Sequence, residues 1–380
     1  MRRKNLFRSF FESEKAGGLV LLICTVFSLL ISNSSFSEHY LSIWHLQIGS
    51  HSAEQWINDG LMAIFFLLIG LELEREIYKG ELSKLKEAIL PISGALGGMI
   101  VPALIFLFFN FRTATHSGFG IPMATDIAFA VGILSLLGKR VPLSLKIFLT
   151  ALAVIDDLGA ILMIAIFYTK TILFVNLVIS LSIFGILLLM NRMKVTNLLL
   201  YLIGGVLMWY FMLNSGVHAT ITGVLLAFAI PFQDGSENAI SFKLQNWLHY
   251  PVAFVIIPLF ALSNTAIVLG KDLIHTFSES YSLGIIFGLF IGKPLGILTF
   301  TFLAVKLKLT QLPKDISWNK LIGVGFLGGI GFTMSIFITL LAFENNEIIN
   351  NSKFMILFAS LFSGVIGFIW LKKSMLVKKK

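Results

Sequence analysis

Residues 151–168 read ALAVIDDLGAILMIAIFY. Apart from Asp156, Asp157, Gly159 and the terminal Tyr168, every position is Ala or a larger apolar residue. A run of this length matches the hydrocarbon thickness of a bilayer, which takes about 20 helical residues to cross. A carboxylate at such depth is costly and is a functional-site hypothesis by default. Here two stand side by side, so the stretch sets both the fold class and the place to look for chemistry.

The rest of the chain repeats the apolar pattern. Of 380 residues, 57% are hydrophobic, 36 are Phe and only 13% are charged, about half the charged share of a soluble domain. Mean hydropathy is +0.89. Apolar runs recur from end to end without the alternation of a β-barrel strand. The reading is an all-α polytopic membrane protein. Twelve spans are expected, the fourth near 122–138, the seventh near 197–213, the eighth near 216–231 and the eleventh near 320–342. One integral-membrane domain covers 1–380, with a cytoplasmic N-terminus at 1–15, the span bundle at 16–371 and a basic tail at 372–380. The longest polar stretch, Gln233 to Tyr250, is a loop and leaves no room for a soluble domain.

Charge placement orients the bundle. The net charge of +9 would suit nucleic acid, but 23 Lys/Arg fall in the inner segments and four (Arg112, Lys170, Lys271, Lys353) in the outer ones. That asymmetry puts both termini in the cytoplasm. It makes the basic charge a matter of topology and anionic-lipid contact, not of nucleic acid. Cys24 is the single cysteine, so no intrachain disulfide is expected. MRRKNLFR before an apolar run resembles a signal peptide or twin-arginine leader. The run is long, starts only near Ala16 and lacks a small-residue cleavage site, so it reads as a span.

Two spans carry helix-breaking clusters. In the fourth, Gly118, Gly120 and Pro122 precede Thr125 and Asp126; in the eleventh, Gly323, Gly325, Gly328, Gly329 and Gly331 precede Thr333 and Ser335. Small residues also serve close helix packing. One such span in each half of the chain, however, points to interrupted helices around a binding site, as in transporters built from inverted repeats.

Charges at membrane depth are Asp59, Asp126, Asp156, Asp157 and Lys293. Adjacent helical residues point about 100° apart, so Asp156 and Asp157 line one cavity from two directions. Two close carboxylates titrate as a coupled pair. Their oxygens suit protons or a hard cation such as Na+, in competition. Lys293, between Gly292 and Pro294, needs a carboxylate partner, for which Asp156 and Asp157 are both available. That pair either holds helices together or releases a proton when the carboxylate takes a cation. Asp126 suits facing helix N-termini, as an ammonium would suit facing C-termini, and Thr125 offers a hydroxyl or carbonyl ligand. Asp59 reads as a helix N-cap. Glu72, Arg75 and Glu76 share one helical face at i, i+3 and i+4, as a solvated ion-pair face, a cation funnel or a proton-sensing network. His218, at a span start, is either structural or a pH sensor.

The stretches WINDGLMAIFFLLIGLELERE (56–76), GALGGMIVPALI (94–105), IPMATDIAFAVGILSLLGKRVPLSLKIFLTALAVIDDLGAI (121–161), SGVHATITG (215–223), IGKPLGI (291–297) and GGIGFTMSIFITLLAF (328–343) together resemble the NhaA-type bacterial sodium/proton antiporters. That family is counted among the inverted-repeat transporters. The resemblance implies twelve helices, with the fourth and eleventh interrupted and crossing. It makes Asp156 and Asp157 the cation- and proton-carrying pair, Asp126 and Lys293 the charges balancing the helix ends, and Thr125 a residue of the crossing. It implies electrogenic export of Na+ or Li+ for two protons, active at alkaline pH and serving sodium and pH homeostasis in the bacterial inner membrane. No cofactor is implied. Glu72, Arg75, Glu76 and His218 match positions of the pH response. Gln245 departs from the family pattern, which often has a glutamate of the pH cluster there. The outer loop EHYLSIWHLQIGSHSAEQW (38–56) is short where the family carries a hairpin that helps form a homodimer; WHLQIG is one strand of it.

Other classes fit less well. Intramembrane aspartyl proteases take their aspartates from two spans, one in a Gly-x-Gly-Asp setting that is absent here, and no HExxH spacing occurs, so no enzyme is expected. A channel filter uses repeated rings of carbonyls or charges rather than one lysine and one aspartate pair. Exchange of K+ is the nearer rival, since carboxylate oxygens do not fix ion size.

Overall fold

A computed structural model describes residues 2–169, 172–270 and 273–376. Lys170, Lys271 and the last four residues of the basic tail, among the charges used above for orientation, lie outside the described residues. In chain order the helices are α1 (Arg2–Ser32), α2 (Ser37–His45), α3 (Ala53–Tyr78), α4 (Leu85–Asn110), α5 (Ile127–Leu136), α6 (Leu143–Phe167), α7 (Phe174–Arg192), α8 (Leu198–Leu213), α9 (Ile221–Ala229), α10 (Ile240–Asn264), α11 (Leu273–Ser278), α12 (Ser280–Lys306), α13 (Trp318–Gly328), α14 (Phe332–Ala342) and α15 (Asn346–Leu376). The described chain is nearly all helical. One antiparallel hairpin pairs β1 (Gln47–Ile48) with β2 (His51–Ser52). Of WHLQIG, only those two residues of β1 are strand.

Among the described residues, eight helices are long and apolar enough to cross a membrane, and ten if each of two bent helix pairs counts as one span. The protein is a multi-pass membrane protein. The expected seventh span forms a helix of 16 residues and the eighth one of nine. At about 1.5 Å per residue, the shorter one reaches roughly half the hydrocarbon core. It is bounded by the turn at Gly216 (φ 86°) and by Pro231.

The chain packs as two compact units. The first comprises the described residues of Met1–Ser37, Lys84–Ala160 and Asn264–Lys380; the second those of Glu38–Ser83 and Ile161–Ser263. In the first, α4 packs along the Lys293–Lys306 part of α12. A methyl at Gly97 would come within 2.1 Å of the Gly296 carbonyl, and one at Gly296 within 2.0 Å of the Gly97 carbonyl. Two facing glycines therefore let these backbones touch, which seats Lys293 one turn away. Pro91 and Pro102 lie inside α4; helix-breaking residues are tolerated in membrane helices where surrounding groups can satisfy the freed backbone.

In the second unit, α3 packs on α9, where a methyl at Gly223 would meet the Ala63 carbonyl at 2.1 Å. The helix starts earlier than the sequence suggests. Ser52 Oγ accepts the Gln55 N–H at 3.2 Å and Gln55 Oε1 accepts the Ser52 N–H at 2.8 Å, a reciprocal capping box. Asp59 is therefore not an N-cap. It lies in a widened π turn, Trp56–Leu61. Such turns leave a carbonyl short of a helical partner, and the Asp59 carbonyl accepts from the Trp209 indole at 3.0 Å.

Lys353, assigned above to an outer loop, is also helical. It is buried in α15 and its ammonium donates to Asn264 Oδ1 at 3.3 Å. The helix begins at Asn346, well before the apolar run.

Candidate ion-binding site

The site is built in the first unit from two chain breaks. Residues His116–Met123 form a 3-10 segment, Ala124 and Asp126 are extended, and α5 begins at Ile127. Further along, α13 stops at Gly328 and α14 starts at Phe332, with a bend of 45°. Each break exposes backbone donors that a helix would otherwise use.

Asp126 answers both sets of donors. It is 2% exposed and N-caps α5, with Oδ1 accepting the Phe129 N–H at 3.1 Å. Its Oδ2 accepts the Thr333 N–H at 3.1 Å and the Thr333 hydroxyl at 2.5 Å, so one carboxylate caps two helices. The breaks also join through backbone, with the Asp126 N–H donating to the Ile330 carbonyl at 2.6 Å. The Ser335 hydroxyl donates to the Ile121 carbonyl at 2.7 Å. From α15, the Ser360 hydroxyl accepts the Gly331 and Phe332 N–H groups, each at 3.2 Å. A negative group at two helix N-termini is favoured by both dipoles.

Asp156 and Asp157 lie on α6, both fully buried. Lys293, also at 0% exposure, follows a π turn, Gly288–Gly292, in α12. Its ammonium donates to Asp156 Oδ2 at 2.5 Å. Thr125 Oγ1 lies 2.7 Å from the same oxygen and 2.8 Å from the Gly328 carbonyl. The hydroxyl has one hydrogen and two acceptors in reach, so it serves either the carboxylate or the end of α13. Asp156 Oδ1 has no hydrogen-bond partner among the described residues. A buried ion pair with a spare carboxylate oxygen is short of the partners that offset its desolvation.

The structure thus brings together Thr125, Asp156 and Lys293 by direct bonds. Asp126 follows Thr125, and Asp157 follows Asp156. The other sequence-predicted residues belong to the second unit. Glu72 is hydrogen-bonded by the Gln245 side chain, with Glu76 and Arg75 within electrostatic reach. The Arg75 guanidinium lies over the Phe242 ring, 5.0 Å from its centroid. His218 sits in the turn before α9, its carbonyl accepting the Ile221 N–H at 3.2 Å. Sequence reasoning assigned no role to Thr333 or Ser360. Hydroxyls are common in spans, and only their partners, 207 and 28–29 residues away, single them out. It also passed over Glu74, which stands between Glu72 and Arg75 and is 4% exposed.

A sequence model of the family described as Na+/H+ antiporter 1 matches residues 8–371. The chain belongs to that family. Within it, the chain is similar to the Na(+)/H(+) antiporter NhaA of Flavobacterium psychrophilum, at 65% identity over 98% of this chain and 97% of the relative. Its similarity to the protein of the same name from Cytophaga hutchinsonii is 57%, over 99% of this chain and 97% of the relative. Among solved structures, a sodium proton antiporter from Methanocaldococcus jannaschii superposes with a TM-score of 0.54 at 14% identity, covering 97% of this chain and 100% of the other. That likeness concerns the fold alone. The family members named are antiporters, and the site lies in a multi-pass helical chain of this Na+/H+ antiporter family.

Proposed function

We propose that this chain exports Na+ in exchange for protons at Asp156 and Asp157. The observation that carries the reading is the Lys293 ammonium seated on a fully buried Asp156 oxygen that Thr125 also touches. An ammonium and a sodium ion compete for such an oxygen. In the proton-loaded state, Lys293 holds a proton against Asp156 and Asp157 holds a second. When Na+ enters between the two carboxylates, both protons leave, and Lys293 is neutral. The Thr125 hydroxyl then turns to the Gly328 carbonyl or to the carboxylate as the charge requires.

Two protons for one Na+ move one net charge per cycle. The membrane potential supplies about 2.3 kcal/mol per 100 mV for that charge, which is roughly a fortyfold Na+ gradient. The same chemistry admits Li+. We read the chain as one transporter domain, 1–380, of twelve spans with inverted repeats and crossing interrupted helices. It lies in a bacterial inner membrane with 1–15 and 372–380 cytoplasmic and the tail near anionic lipid. Glu72, Arg75, Glu76 and His218 set activation at alkaline pH, with Gln245 shifting its midpoint, and the short β1–β2 hairpin serves a homodimer.

The test uses inside-out vesicles with an acid interior and a pH-sensitive dye. Na+ and Li+ are expected to alkalinise the interior promptly, and Asp157→Asn is expected to abolish this. A response to K+ alone would replace the sodium reading, and an undiminished Asp157→Asn would remove the pair from the site. Because proton and cation share ligands, apparent Na+ affinity is expected to rise by about tenfold per pH unit for each proton that leaves with binding, and so by about a hundredfold where both leave. A flat Na+ titration across about pH 6–8, roughly one unit either side of the midpoint between free carboxyl and ammonium pKa values, would reject shared ligands.

A further inference from the structure

In the second unit, a pocket of about 460 Å³ opens at the Tyr78 end of α3. Glu74 lines it and is 4% exposed, although it belongs to the polar end of the helix. Its Oε2 is enclosed and has no hydrogen-bond partner among the described residues. A buried acceptor left without a donor is costly; a carboxyl in that position is relieved by a proton of its own or by a cation brought to it.

The rest of the lining says which kind. Tyr78, Phe228 and Phe232 present aromatic surface, and the Tyr78 and Phe232 rings pack with centroids 5.0 Å apart. Asp234 stands at the exposed rim. The Ser236 hydroxyl and N–H, with Lys79 beside it, hold its carboxyl below the usual carboxylate range, so it is ionised at neutral pH. Lys79 is the one cation among the lining residues. Among the described residues no three His, Cys, Asp or Glu side chains gather as a metal site, and the pocket lining offers two carboxylates beside three aromatic rings. Carboxylates beside aromatic faces are instead the chemistry that recognises organic ammonium ions.

We propose that this pocket binds an alkylammonium ion, with the ammonium on Glu74, the alkyl chain against Tyr78, Phe228 and Phe232, and a second ammonium, where present, at Asp234. The site shares no residue with the Asp156–Asp157 pair and does not rest on the transport reading.

The probe is butane-1,4-diammonium chloride, titrated into the full chain in detergent by calorimetry at constant ionic strength, with NaCl as the reference salt. Saturable binding is expected in the native chain and in Asp157→Asn. A charge-assisted hydrogen bond is worth about tenfold or more in affinity, so Glu74→Gln is expected to weaken binding by at least that factor. Asp234→Asn, at the exposed rim, keeps the test open if Glu74→Gln folds poorly; it is expected to weaken the diammonium more than butylammonium. Absence of heat in the native chain would overturn the proposal. So would an affinity in both pocket variants equal to that of the native chain, or loss of binding in Asp157→Asn alone, which would put the ion at the transport pair.

Discussion

Two regions bury carboxylates in apolar helices and treat them oppositely. At the two breaks of the first unit, Asp126 gathers three donors from two helix starts, and Asp156 receives Lys293 and Thr125. At the end of α3 in the second unit, Glu72 takes one side-chain bond from Gln245 and Glu74 Oε2 takes none among the described residues. In the first region Asp126 is held by backbone donors freed where helices start, and Asp156 by Lys293 from within α12 and by Thr125 at the first break. The second is an ordinary helix, whose backbone offers its side chains nothing. Interrupting a helix therefore supplies Asp126 with its polar setting, while Asp156 takes its own from an opposite charge on a neighbouring helix.

The largest expected effect is at Lys293. Lys293→Met leaves Asp156 buried without its counter-charge and is expected to destabilise the protein by about 3–5 kcal/mol, with most recovered in the double variant with Asp156→Leu. Thermal unfolding in detergent would read both, and a single variant as stable as the native chain would show that the ion pair does not hold the breaks. Next comes Asp126→Asn, which removes the charge shared by two N-termini and is expected to cost about 1–3 kcal/mol. Ser360→Ala takes the acceptor from Gly331 and Phe332, at about 1 kcal/mol, with Ser360→Thr restoring it. If apparent Na+ affinity falls with the alanine and returns with threonine, Ser360 positions α14 for the ion site as well as stabilising it. The smallest change is expected at the other region, where Arg75→Ala alters stability by about 0–1 kcal/mol. A larger loss there would erase the contrast.

How much of this the sequence discloses depends on how rare each signal is. Asp156, Asp157 and Lys293 stand out because charges in apolar runs are scarce, and Asp126 because it follows Gly118, Gly120 and Pro122. Thr333 also follows a glycine cluster, but a hydroxyl there is not scarce as a charge is, and nothing in the neighbourhood of Ser360 marks it from other hydroxyls. Asp59 misled for a local reason. An aspartate before an apolar run is normally a cap, but here the Ser52–Gln55 box starts the helix earlier. Glu74 was hidden by its neighbours, because Glu72, Arg75 and Glu76 form a more regular face. The short α9 lies under an apolar run whose flanking Gly216 and Pro231 set its length more than its hydropathy does.

The bonds between the two breaks bear on how the protein is made. Asp126 meets Thr333 across 207 residues, Thr125 meets Gly328 across 203, and Ser335 meets Ile121 across 214. At a synthesis rate of about 5–20 residues per second, the first break waits roughly 10–40 s on the ribosome for the second to emerge. During that interval Asp126 has its own helix to cap but not its distant one, and for most of it Asp156 lacks Lys293, which lies 137 residues further on. The charged heart of the first unit is thus among the last things the growing chain can complete, and the interval is when membrane quality control has most to act on.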